Sequence, residues 1–132
     1  MAAAKIAFDL VSPERLLLLV QADMVTVPGA EGYMGVMAGH AATVTTLRAG
    51  MIDVQADGKD ERYFIRGGFA EINATKITVL ADEAIPMTEL DLAVFDQRIS
   101  DAQEDELAAT TDAARLKAAQ LVDDLKLVRA AF

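Results

Sequence analysis

The chain has 132 residues, 53% of them hydrophobic, a formal net charge of −9 at pH 7 and no cysteine. This length fits one domain or one domain with a small appendage, and the apolar content excludes a disordered chain, while the lack of cysteine excludes disulfide scaffolds and thiolate chemistry. Because the negative charge repels nucleic-acid phosphates and anionic headgroups, we expect no nucleic-acid binding and no direct lipid insertion.

We expect neither a transmembrane span nor an N-terminal targeting segment in this sequence. The longest apolar run, Leu16–Val20, is too short to span a bilayer. The first residues lead straight into an alternating segment, without the apolar stretch of a signal peptide. The sequence therefore predicts a cytoplasmic location.

Up to Pro86, apolar residues tend to recur at every second position, which is typical of half-buried β-strands. The alternation is clearest in segments 6–10, 24–27, 51–55, 63–65, 69–72 and 77–79. Turn signals separate these segments, among them Ser12-Pro13, Pro28-Gly29, Asp57-Gly58 and Gly67-Gly68. Many short strands at this spacing predict an antiparallel β-sandwich or a small barrel over residues 1–86.

Residues 87–132 contain neither Gly nor Pro and show helical periodicity. We expect Thr88 to cap a first helix, with Glu89 and Asp91 in its first turn, and Thr110 or Thr111 to cap a second. Each helix has one apolar face, formed by Leu92, Phe95, Ile99, Ala102 and Leu107 and by Ala118, Leu121, Leu125, Val128 and Phe132. This pattern predicts an antiparallel two-helix hairpin.

Residues that carry enzyme chemistry are scarce. His40 is the single histidine, one histidine does not make a zinc site, and neither Ser12 nor Ser100 has a nucleophile-elbow context. The glycines between residues 29 and 39 lack the Gly-Lys-Ser/Thr of a phosphate-binding loop. The acidic clusters 104–106 and 123–124 are interpreted as solvated helix charges. We therefore predict no catalytic residue, no metal, no cofactor and no enzymatic activity.

Four segments, in this order, resemble hallmarks of the epsilon subunits of bacterial F-type ATP synthases. They are Phe8–Pro13, Glu31–Ala41, Gly50–Ile52 and, as two pieces of one hallmark, Gly67–Ile72 and Ile77–Asp82. The resemblance covers nearly the whole chain. It implies a mainly β fold with an α appendage, in which an antiparallel β-sandwich of about ten strands (residues 1–86) precedes a helical hairpin (residues 87–132).

The resemblance also implies a role. Such subunits are non-catalytic parts of the central stalk, or rotor, of a proton-translocating ATP synthase, and they couple rotation of the c-ring through gamma to ATP synthesis at the cytoplasmic face of the bacterial inner membrane. The implied partners are gamma and the c-ring, together with alpha and beta subunits through the helices. The implied c-ring or gamma interface contains Glu31, Gly32, Tyr33, His40, Ala41 and Ala42. Because Tyr33 stands where the family often has a polar or acidic residue, a stacking or hydroxyl contact would replace a salt bridge.

In the family, the helices can fold against the sandwich or extend along gamma, where they oppose ATP hydrolysis. The corresponding regulatory residues here are Arg115, Lys117, Leu121, Leu125, Lys126, Val128 and Arg129. The sequence does not decide between a hairpin that is permanently docked and one that switches between the two positions. Of the family's ATP-binding motif, Leu90-Asp91 is a weak remnant, because Val94 and Phe95 replace its Arg and Ala, so we expect weak or absent nucleotide binding.

An alternative interpretation is an unrelated β-sandwich adaptor whose helical hairpin mediates oligomerisation. In that case the apolar helix faces would pair with a second copy of the chain. The rotor interpretation predicts instead a chain that is monomeric alone and binds gamma.

Overall fold

The computed structural model describes residues 4–132. They form two compact units: a β unit that ends at Thr88 and a helical unit, Glu89–Phe132. The division lies two residues beyond the boundary set from the sequence at Pro86.

Within the described residues, the β unit has ten strands. In chain order they are β1 (Ile6–Val11), β2 (Leu16–Ala22), β3 (Met24–Gly29), β4 (Gly32–Val36), β5 (Thr43–Leu47), β6 (Gly50–Ala56), β7 (Lys59–Ile65), β8 (Gly68–Ile72), β9 (Lys76–Ala81) and β10 (Ala84–Pro86). Their order in the sheet is β10-β7-β6-β3-β5-β8-β9-β1-β2, and β4 pairs with β3. One pairing departs from the antiparallel expectation, because β1 and β9 run parallel.

The sheet folds over at β3. This strand pairs with β6 over Met24–Thr26, but with β5 only through Gly29 and Leu47. The fold-over separates one half, with β4, β3, β6, β7 and β10, from a second half, with β5, β8, β9, β1 and β2. Inward-facing residues of both halves share one core, which includes Ile6, Phe8, Leu10, Val25, Val27, Ile52, Val54, Ile65, Ile72, Ile77 and Val79. The two-layered sandwich predicted from the alternating segments is thereby confirmed.

Burial follows the two-residue period of the strands. In β1, Ile6, Phe8 and Leu10 are fully buried, while the residues between them are half-buried. Each such side chain contributes about 1.5–3 kcal/mol when it leaves water, so the alternating positions hold most of the apolar driving force.

A salt-bridged cluster joins the start of β1 to the turn between β6 and β7. Lys5 Nζ lies 2.6 Å from Asp23 Oδ1 and 2.7 Å from Asp57 Oδ1, and Asp23 Oδ2 accepts the backbone N–H of Asp57 at 3.0 Å. The hydrogen bond from Lys5 lowers the pKa of Asp23, and the hydrogen bonds to Asp23 and Asp57 raise the pKa of Lys5. The contribution of Asp23 to stability is therefore lost only as the pH falls through its lowered pKa, and that of Lys5 only as the pH rises through its raised pKa.

The helical unit contains α1 (Leu92–Ala108) and α2 (Asp112–Arg129), and a 3-10 helix over Met87–Glu89 precedes it. Asp91, not Thr88, caps α1: its Oδ1 accepts the N–H groups of Ala93 and Val94 at 2.8 and 3.1 Å. The prediction of Thr88 as the cap was wrong because the 3-10 turn places Asp91 directly before the helix. Thr111 caps α2 as predicted, since Oγ1 accepts the N–H of Ala114 at 3.1 Å.

The two helices share a narrow apolar seam. Its buried apolar side chains are Phe95, Ala102, Val122, Leu125 and Val128. Leu107, predicted to lie on this face, is 88% exposed, because a step of four residues from the buried Ala102 arrives at the half-buried Glu106 instead. Asp124 is buried, which corrects the interpretation of the 123–124 pair as solvated; Asp123 alone is exposed.

Gly68 has a backbone conformation and surroundings that exclude a side chain. Its φ is +133°, and a Cβ atom would collide with the carbonyl oxygen of Leu80 and lie 2.8 Å from Cα of Ala81. Gly58 is the second residue of the two-residue turn between β6 and β7. It also has positive φ (+77°), but a Cβ there would meet no atom within 4 Å. Substitutions at these two glycines therefore distinguish the cost of backbone strain from the cost of steric collision.

We expect Gly68→Ala to lower the free energy of unfolding by at least about 3 kcal/mol, because strain and overlap add. Gly58→Ala, the control, should cost about 1 kcal/mol because only the positive φ is penalised. Urea unfolding of both variants measures the difference, and equal losses would show that the contact with Leu80 is unimportant.

Candidate functional site

An open groove lies where the β3–β4 turn meets β5. The turn is closed by the pairing of Gly29 with Gly32, and Gly32 has φ +135°. The backbone N–H of Ala30 lies 3.5 Å from Oγ1 of Thr45, which joins the turn to β5. The residues that line the groove are Gly29, Ala30, Glu31, Gly32, Tyr33, Met34, Thr43, Val44 and Thr45. Three predicted interface residues, Glu31, Gly32 and Tyr33, are thus brought together at one edge of the sandwich.

Tyr33 forms one wall of this groove. Its side chain is half-exposed, and its hydroxyl accepts the backbone N–H of Met51 at 3.1 Å. Gly50 lies beneath it: a Cβ at Gly50 would stand 2.6 Å from the Tyr33 hydroxyl and 2.8 Å from Cβ of Pro28. The hydroxyl contact suggested for Tyr33 is therefore made within the chain, to β6.

His40 is not among the groove residues. It lies in the loop between β4 and β5, where the N–H of Gly39 donates to the carbonyl oxygen of Ala74 at 2.8 Å. His40 Nδ1 is 2.7 Å from the carbonyl oxygen of Ala41, and the ring is half-buried. Ala41 and Ala42 are exposed and lead into β5. The six predicted interface residues therefore form two neighbouring parts of the edge, both adjoining β5.

An apolar strip, missed from the sequence, crosses the outer face of the second half of the sheet. Register places Phe69 beside Leu80, Leu80 beside Val11 and Val11 beside Leu16. Phe69, Leu80 and Leu16 are 44%, 39% and 55% exposed. We call these four residues the apolar strip. Contiguous exposed apolar surface is a common feature of protein interaction sites. In the sequence, Phe69 and Leu80 already stand at outward-facing positions of the alternating pattern in β8 and β9. Only the order of the strands in the sheet, however, brings the four residues side by side.

The arginines predicted to be regulatory are engaged within the hairpin. Arg115 Nη1 lies 3.1 Å from Asp112 Oδ1, and its Nη2 lies 3.5 Å from the carbonyl oxygen of Ala109. Arg129 Nε lies 2.7 Å from Asp96 Oδ1, which joins the end of α2 to the start of α1. Arg115 therefore contacts its own helix and the connection before it, and only Arg129 joins the two helices, at the open end of the hairpin.

The remaining predicted regulatory residues divide by environment. Leu125 and Val128 are buried in the seam and Leu121 is half-buried, whereas Lys117 and Lys126 are exposed. Near the open end, the rings of Phe95 and Phe132 are 5.7 Å apart, and the Arg129 guanidinium lies 5.8 Å from the Phe132 ring. Three cations of this set therefore face solvent in the closed hairpin: Lys117, Lys126 and Arg115.

Asp91, the remnant of the nucleotide motif, has a structural task. Its Oδ1 is occupied by the two N–H groups that it caps. Among residues 4–132, no group of three or more His, Asp or Glu side chains is arranged to hold a metal ion. Nor does any helix in this part of the chain have the length and apolar character needed to cross a membrane.

Residues 5–87 match the family model described as the β-sandwich domain of the ATP synthase delta/epsilon chain. The chain is 48% identical to the ATP synthase epsilon chain of Parvibaculum lavamentivorans over 128 residues, covering 96% of this chain and 97% of the relative. It is 45% identical to the epsilon chain of Maricaulis maris, also over 128 residues, covering 97% and 96%.

Solved structures give the same result for the fold. A chain in the Euglena gracilis mitochondrial ATP synthase, solved with OSCP, F1 and the c-ring, superposes with a TM-score of 0.79 at 28% identity, covering 97% of this chain and 81% of that one. A chain in the central stalk and c-ring of the Tetrahymena thermophila enzyme superposes with a TM-score of 0.74 at 15% identity, covering 99% and 98%.

We predict that the Asp96–Arg129 contact stabilises the closed hairpin by about 0.5–1 kcal/mol, since both side chains are partly exposed. Asp96→Asn should accelerate hydrogen exchange at the end of α2, and a double-mutant cycle with Arg129→Gln measures the coupling. Asp101→Asn is the control, because Asp101 accepts a hydrogen bond from Gln97 on its own helix. A coupling energy of zero would contradict the prediction.

Proposed function

This chain belongs to the delta/epsilon family of ATP synthase chains, and from that premise we propose that it acts as a non-catalytic rotor subunit in the central stalk. It couples rotation of the c-ring through gamma to ATP synthesis. Family membership over nearly the whole chain also removes the alternative of an unrelated adaptor. The apolar strip is the single structural observation that carries the proposal, because it gives the sandwich a surface for a permanent protein partner.

Gamma is the partner we propose for the apolar strip. The four side chains lie on four neighbouring strands whose backbones are hydrogen-bonded to one another. A surface on paired strands over a close-packed core deforms little under load, which is what transmission of torque requires. The stability of the docked state comes from burial of apolar area, so it does not depend on opposite charges in the partner.

The c-ring is the partner we propose for the edge that contains the groove. Glu31 and Gly32 stand at the exposed turn, Tyr33 forms the wall, and His40, Ala41 and Ala42 extend the same edge. The lining is mainly apolar, but its threonine hydroxyls and the Glu31 carboxylate can pair with the polar groups of a loop and would be left unpaired against an acyl chain. The work of this subunit is contact and transmission of force, with no bond-making step. We place it at the cytoplasmic face of a bacterial inner membrane, in line with the bacterial origin of the relatives.

We propose a regulatory role for the hairpin, through contacts of α2 with alpha and beta subunits. Exposed Lys117, Lys126 and Arg115 are available in the closed state, whereas Arg129 is released from Asp96 of α1 only when the helices part. The narrow seam supports the proposal, because few large side chains must separate for the helices to part. No nucleotide is required for this step, and Asp91 keeps its role as a helix cap.

Leu80→Asp should weaken binding to gamma at least tenfold, because it buries an unpaired charge in the docked strip. Leu116→Asp, a matched change at an exposed leucine of α2, should bind as the unchanged chain does. Co-purification of each variant with gamma and the catalytic subunits measures the effect, and circular dichroism checks the fold. Normal binding by Leu80→Asp would contradict gamma docking on the strip.

Truncation after Thr88, where the β unit ends, should raise the ATP hydrolysis rate of the reconstituted enzyme while the chain still binds gamma. The physical reason is that the truncated chain retains the strip and lacks the helices that oppose hydrolysis. Steady-state ATPase assays on membranes carrying full-length or truncated chain make the comparison. An unchanged rate with normal binding would end the inhibitory proposal.

A further inference from the structure

The sheet contains a break that a side chain repairs. Continuing the β3–β6 register beyond Thr26 would place Pro28 opposite Met51. The carbonyl oxygen of Pro28 instead accepts the N–H of Arg48 at 2.9 Å, because β3 has already turned toward β5. The backbone N–H of Met51 therefore faces a side of β6 from which its strand partner has departed, and a donor left without an acceptor would cost stability.

Tyr33 supplies the missing acceptor. The backbone of Tyr33 pairs with Pro28 in the β3–β4 ladder. The side chain of Tyr33 extends to β6, where the hydroxyl accepts the Met51 N–H at 3.1 Å. Gly50 makes room, because a methyl group there would stand 2.6 Å from the hydroxyl oxygen. One hydrogen bond thus ties β4 to β6 across the point where β3 leaves, and it fixes the orientation of a ring that is half-exposed in the groove.

We propose that Tyr33 is the positioning residue of the c-ring-facing edge. Its hydroxyl bond to Met51 locks the ring as a wall of the groove and holds the Gly29–Gly32 turn against β6. The partner is a polar loop that enters between this turn and Thr43–Thr45. A preformed groove binds such a loop without first ordering its own turn, which saves conformational entropy on association. The inference rests on the function proposed above for this edge.

The test compares Tyr33→Phe with Tyr63→Phe. The first substitution keeps the ring and removes the acceptor of Met51, whereas the second removes the hydroxyl that bonds to Glu61 at 3.1 Å on β7. Membranes depleted of the native subunit are reconstituted with each variant bound to gamma, and the affinity of the complex for the c-ring is measured by titration. Tyr33→Phe should bind about twofold to tenfold more weakly and exchange the Met51 amide faster, and Tyr63→Phe should do neither.

The outcomes separate this inference from the function on which it rests. If the unchanged chain does not restore binding to the c-ring, the proposed function fails. If the unchanged chain restores binding and Tyr33→Phe equals it, the positioning role is overturned, even if the Met51 amide exchanges faster. Should Tyr33→Phe not fold, 3-fluorotyrosine at position 33, whose hydroxyl is a weaker acceptor, must weaken binding in the same direction; unchanged binding would overturn the proposal.

Discussion

The transfer of β3 from one half of the sheet to the other is the constraint on which the β unit depends. Gly29 must come close enough to Leu47 to begin the second half, and the step deprives β6 of a partner at Met51. Tyr33 and Gly50 together compensate for this lost partner. Tyr33 supplies a hydroxyl as the acceptor, and Gly50 leaves room for that hydroxyl because it has no side chain. Two sheet halves can then face each other over one core, and the edge where the chain crosses becomes the groove.

The sequence was sufficient for the elements that obey one simple period. Alternation in β1, β6 and β9 gave the core positions, because a side chain on a half-buried strand is either inside or outside. It was not sufficient for β2, whose run of four leucines hides the period, or for β4, which contains two glycines in five residues. Those strands were expected from the family resemblance alone. The parallel pairing of β1 with β9 joins segments far apart in the chain, so no local signal encodes it.

Helical periodicity located the hairpin and most of its seam, but it did not identify what the charged residues do. Arg115 and Arg129 look like free cations along the sequence, yet both contact acidic side chains, one near in sequence and one on the other helix. Asp91 looked like part of a nucleotide motif and is a helix cap, since an aspartate directly before a helix meets its unsatisfied N–H groups at once. From the sequence alone, Asp91 fits both a nucleotide motif and a helix cap. Only the distance from its side chain to the backbone N–H groups distinguishes the two roles.

The two proposed interfaces meet at β5, and this suggests how force passes between them. Thr43–Thr45 line the groove, while Thr46 pairs with Phe69 of the apolar strip through the β5–β8 ladder. A displacement imposed at the groove therefore reaches the strip through paired backbone within one sheet half, without crossing the core. The ladder ends where Leu47 pairs with Gly68, whose conformation allows β8 to pass close to Leu80. Force can pass along such a path without any catalytic residue. Gly68 and Tyr33 contribute to it through geometry alone, because each holds a strand where the neighbouring strand requires it.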